Sequence, residues 1–104
     1  MKLMLLERLK LLQVLPSEGS FVTLNIITDL RKSLAPTEDE LKEFELVEKD
    51  GQLSWNDKGR EEREIQIGEK ATDIIVKALK QLDSEGKLTA HHLSIYEKFV
   101  VNKD

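Results

Sequence analysis

The chain's two histidines stand side by side, His91-His92. Neighbouring residues on a helix point about 100° apart, so the pair cannot chelate one ion from a single face. Neither has a His, Asp or Glu three or four residues away to complete a ligand set, and both read as polar first-turn residues of a helix. The stretch Leu82-Asp83-Ser84-Glu85-Gly86-Lys87-Leu88 has a superficial calcium-loop look. With Gly86 in the sixth loop position, however, Gln81 would stand first and His92 twelfth, where a carboxylate and a bidentate glutamate are needed. A helix–Gly–helix turn is the better reading. The six serines lie outside any nucleophile-elbow context, and glycines 19, 51, 59, 68 and 86 are scattered turn punctuation, not a phosphate cradle. With no cysteine, thiolate nucleophiles, disulfides and Cys-based metal sites are excluded together. The sequence thus carries no catalytic, metal or cofactor motif, and we read it as a non-enzyme with no evident small-molecule substrate.

Charge is the next source of specificity. The net charge is −4. Residues 38–50 alone contribute −5, from seven acidic and two basic side chains. An acidic middle without a compensating basic stripe argues against binding a phosphate backbone, which needs clustered Lys and Arg. It suits a protein partner better, and the exposed acidic candidates are Glu38, Asp39 and Glu43. The run Arg60-Glu61-Glu62-Arg63-Glu64 alternates in sign and reads as a solvated, internally paired surface segment.

The elements that must carry these groups are mostly helical. A first helix is expected from Leu3 to Leu15, stopped by Pro16 and Gly19. Nine of its thirteen residues are apolar, more than one buried stripe requires. Leu3, Met4 and Leu6 lie outside the main stripe. Together with the acidic residues they form the candidate interaction surface, and the surplus points to a homodimer with this helix near the twofold axis. Ser20 caps a second helix reaching Leu34. Thr37-Glu38-Asp39-Glu40 is a capping box opening a short third helix that ends near Glu43.

Asp50-Gly51 signals a type I′ hairpin. With those two as the loop, Glu48 faces Leu53, Leu46 faces Trp55 and Phe44 faces Asp57. One face then gathers Phe44, Leu46, Leu53 and Trp55. The rival reading continues the third helix through Val47 to Gly51. Asn56 to Arg60 reads as a turn, and Glu64 to Ile67 as a possible third strand. A long helix from Glu69 to Asp83 buries Ala71, Ile74, Ile75, Ala78, Leu79 and Leu82. After Gly86, Thr89 caps a last helix burying Leu93, Tyr96, Phe99 and Val100. The expectation is one α+β domain, residues 1–104, mostly helical, with three N-terminal helices, a hairpin and a C-terminal helix pair. No run of residues approaches a membrane span or a secretory leader, so a cytoplasmic protein is expected.

Three helices followed by a hairpin resemble the order of elements in winged-helix domains over residues 3–57. That resemblance implies a nucleic-acid-associated regulator as the alternative reading, although the helix in the recognition position is acidic. The stretches Leu15-Pro16-Ser17-Glu18-Gly19-Ser20-Phe21-Val22-Thr23-Leu24, Ile67-Gly68-Glu69-Lys70-Ala71-Thr72-Asp73-Ile74-Ile75 and Leu93-Ser94-Ile95-Tyr96-Glu97-Lys98-Phe99 resemble small proteins of tailed phages and prophages. That likeness implies an accessory protein acting on other proteins. It implies no activity.

Overall fold

The structure, a computed structural model, describes residues 1–102. Its elements run β1 (Lys2–Leu3), α1 (Leu5–Val14), α2 (Phe21–Leu34), α3 (Glu38–Glu43), β2 (Val47–Lys49), β3 (Gln52–Ser54), a 3₁₀ turn (Asp57–Arg60), β4 (Arg63–Glu64) and α4 (Glu69–Ser84). The C-terminal helix opens with a 3₁₀ turn (Ala90–His92), continues as α5 (Leu93–Tyr96) and widens into a π turn (Glu97–Val101). The architecture is α+β and mostly helical, with two antiparallel two-stranded sheets, β1–β4 and β2–β3.

One aliphatic core joins all the helices except α3. It is built from Leu11 and Leu15 of α1 and its end, Ile27, Leu30 and Leu34 of α2, Ala71, Ile75 and Leu79 of α4, and Ile95 and Phe99 near the C-terminus. The buried residues of α4 recur at the helical interval and face α1 and α2, as its apolar stripe requires.

The first helix differs from expectation in its start and its surroundings. It begins at Leu5, because Lys2–Leu3 instead pairs antiparallel with Arg63–Glu64. Leu3 is therefore a core residue at 0% exposure and belongs to no interaction surface. Met4 and Leu6 are half-buried, and from Met4 to Leu15 only Gln13 is exposed. Helix α1 is wrapped by α2, α4, α5 and both 3₁₀ turns. Its apolar surplus is covered within the chain, which removes the reason for placing this helix at a dimer axis.

The local start signals perform as their chemistry dictates. Ser20 Oγ accepts the Thr23 amide at 3.2 Å. The Thr37 hydroxyl accepts the Glu40 amide at 3.1 Å, and the Glu40 carboxylate accepts the Thr37 amide at 3.0 Å. At the other end of α3, Glu45 takes a left-handed conformation (φ 52°), which lets the Leu46 amide reach the Leu41 carbonyl at 3.0 Å. This is a helix-ending motif that glycine normally serves.

The hairpin forms with the expected register: Glu48 opposite Leu53, Val47 opposite Ser54, Lys49 opposite Gln52. Asp50 and Gly51 both have positive φ, 53° and 77°, as a type I′ turn demands. The rival helix is excluded. The strand is shorter than expected, because Phe44 caps α3 and turns into the interior, and the Asn56 amide rather than Asp57 meets its carbonyl at 2.8 Å. The third strand covers Arg63–Glu64 and joins β1, so it does not extend the hairpin. In the last helix, Ile95 and Phe99 are the buried positions while Leu93 is exposed.

Candidate functional site

Because α1 is enclosed, its charged side chains must find partners inside the protein. Arg8, 2% exposed, donates from Nε to the Leu34 carbonyl at 2.9 Å and from one terminal nitrogen to the Ala35 carbonyl at 3.0 Å. It thereby caps the C-terminus of α2, whose last carbonyls lack intrahelical partners. The same guanidinium forks onto Glu40 at 2.8 and 2.9 Å. Hydrogen bonding from Arg8, against the cost of burial and with help from the Thr37 amide and the charges of Arg8 and Arg63, brings the Glu40 pKa down to about 2. Arg63 lies over the Phe44 ring at 4.5 Å from its centre and pairs with Glu43 at 2.5 Å. The acidic α3 is thus bolted at its base to α1, α2 and β4.

Glu7, also 2% exposed, accepts the Met4 amide at 2.8 Å and the Lys98 ammonium at 2.8 Å through one oxygen. Its other oxygen has no partner among the described residues. Lys98 donates as well to the Lys2 carbonyl at 2.9 Å and to Glu62 at 2.5 Å. Burial would lower its pKa, but the bonds and charges of Glu62 and Glu7 outweigh that and raise it. These contacts fasten the C-terminal helix to the N-terminal strand. They are structural anchors. The Arg60–Glu64 run, expected to pair with itself, does so between Arg63 and Glu61 at 3.5 Å, and it also supplies Arg63 to α3 and Glu62 to Lys98.

His92 accepts the Thr89 amide at 2.9 Å and so completes the cap of the last helix. Burial, with smaller contributions from Lys10 and His91, lowers its pKa. His91 is exposed beside it. No three His, Asp or Glu side chains among the described residues are grouped to hold a metal ion. No described helix is long and apolar enough to cross a membrane.

Glu38, Asp39 and Glu43 are exposed on α3, while Leu3 is buried and Met4 and Leu6 are half-buried. The acidic residues instead adjoin the hairpin, whose six strand residues are all exposed. Cross-strand pairing puts Glu48 and Leu53 on one face and Val47 and Ser54 on the other. Leu41, Val47 and Leu53 add exposed apolar area among the carboxylates. The hairpin stem is clamped to the end of α3, where the Asn56 side-chain amide donates to the Glu43 carbonyl at 2.9 Å. The result is a rigidly based, acidic and partly apolar projection.

No protein-family model matches the chain, and comparison with curated proteins and with solved structures finds no match.

Proposed function

We propose that this is a non-enzymatic, cytoplasmic interaction protein that uses α3 and the hairpin to engage a basic, partly apolar surface of another protein. The observation that carries this reading is the exposure of both faces of the hairpin, Val47 and Leu53 included, next to the acidic side chains of α3. A folded chain gains little from holding apolar side chains in water on a projecting hairpin. Contact with a partner gives them cover, and the carboxylates select a basic one. We also propose a kinship with small tailed-phage proteins, which fits an accessory role of this kind.

The order of α1, α2, α3 and hairpin favours a second reading, a winged-helix-like regulator associated with nucleic acid. Affinity purification from the native host, with the parent and a Glu38→Lys/Glu48→Lys variant, separates the two. The interaction reading expects a protein captured by the parent, released by salt and lost with the variant. Equal capture by both proteins overturns it. Salt-sensitive binding of duplex DNA, followed by fluorescence anisotropy, would put the second reading in its place.

A further inference from the structure

The last helix opens on a capping box whose third helical residue is a histidine, His92. That place ordinarily holds Glu or Gln, whose side-chain oxygen accepts the N-cap amide. Here the Thr89 amide donates to Nδ1 of His92 at 2.9 Å, and the Thr89 hydroxyl lies 3.1 Å from the same nitrogen. A ring nitrogen accepts only while it carries no proton, so the capping form is neutral imidazole with its proton on Nε2. The imidazolium has two N–H donors and no acceptor. The Thr37 box at the start of α3 has the same layout, with the Glu40 carboxylate as its acceptor. The two caps therefore respond to acid in different ranges.

We propose that His92 makes the start of the C-terminal helix a pH-sensitive latch, closed by the neutral ring and opened when the ring takes up a proton. Its surroundings set the direction. The ring is half-buried, on a turn that packs against α1 and runs on into α5. The charged and titratable groups facing it are Lys10 of α1 and the adjacent His91; α5 contributes none, and no described carboxylate pairs with it. It also stands at the positive end of the helix dipole. Burial first, then the charges of Lys10 and His91, hold its pKa below the ordinary 6.5. The folded-state value thus lies below that of the unfolded chain. The cap's contribution is complete above pH 6.5 and is lost as pH falls through the folded-state value. Glu40, with a pKa of about 2, keeps its cap throughout that window. Ile95 and Phe99 hold the body of the last helix in the core, so the segment that opens is the turn from Thr89 to Leu93 over α1.

Nuclear magnetic resonance between about pH 8 and 5, the range in which histidine titrates, tests the proposal. The His92 ring should titrate with a midpoint below 6.5, and the Thr89 amide resonance should move with the same midpoint. Exchange protection of that amide, corrected for its intrinsic pH dependence, should fall by about fivefold, the factor that a cap of ordinary strength represents. His92→Gln supplies an acceptor that does not titrate, so it should keep the protection seen at high pH and lose the pH dependence. His92→Ala should be poorly protected at both ends of the range. A His92 midpoint at or above 6.5, a Thr89 amide indifferent to that titration, a pH dependence that survives in His92→Gln, or protection that persists in His92→Ala would each overturn it.

Discussion

Arg8 on α1 and Glu40 on α3 meet through two parallel hydrogen bonds of 2.8 and 2.9 Å, although 32 residues separate them in the chain. The remaining Arg8 donors close the carbonyl end of α2, so one side chain fixes three helices. Its replacement by Met keeps much of the apolar stem but takes two charge-assisted hydrogen bonds from Glu40 and one each from the Leu34 and Ala35 carbonyls. Breaking a buried pair on one side typically costs about 3–5 kcal/mol. Arg8→Met should lower the urea midpoint accordingly, whereas a midpoint close to the parent's would mean that solvent already satisfies these groups.

The same pair sets an acid limit on stability. The Glu40 pKa is lowered from 4.5 to about 2, so its contribution is present above the unfolded-state value. It is lost as pH falls from about 4.5 towards 2, because the unfolded chain takes up the proton first. Allowing for solvent screening, the loss is on the order of 2 kcal/mol. Urea titrations across that window should show a flatter pH dependence for Glu40→Gln. An equal slope in the two proteins would count against the pair as its source.

Two left-handed residues flank β2 with opposite consequences. Gly51, at φ 77°, has open space around its missing side chain, so the backbone alone resists substitution there. Gly51→Val should destabilise the hairpin by about 1 kcal/mol or more. Since the hairpin projects, the effect should appear as faster amide exchange in residues 47–54 more than as a shifted global midpoint. Glu45, at φ 52°, carries a side chain where glycine is favoured. Glu45→Gly should therefore be neutral or stabilising by up to about 1 kcal/mol, and a clear loss of stability would show that its side chain matters more than its backbone.

Gly59 packs under the only tryptophan. A β-carbon there would lie 2.4 Å from Cδ1 of Trp55, so the indole must move. Gly59→Ala should cost about 1–3 kcal/mol, the usual range for overpacking. Displacement of the half-buried ring should also shift the Trp55 emission, and an unchanged spectrum would mean that the turn itself yields instead.

Local chemistry in the sequence determined where most elements begin and how the hairpin pairs. The Thr37–Glu40 box, the Ser20 cap and the Asp50-Gly51 turn act over two to four residues, so neighbours in the chain suffice to define them. The stripe of Ala71, Ile75 and Leu79 likewise marked one face of α4 for burial. Exposure of Glu38, Asp39 and Glu43 on the acidic third helix was legible for the same reason. Periodicity says that a face is apolar, but not what covers it. Only the tertiary structure decided that Leu3 leaves the first helix to pair with Arg63, and that α1 is enclosed by its own chain. Glu7 and Arg8, charged residues in a helix apolar on nearly every side, were the available sign that buried partners had to exist. Their partners Lys98 and Glu40 lie 91 and 32 residues away, and no local spacing rule connects groups that meet only after the chain has packed.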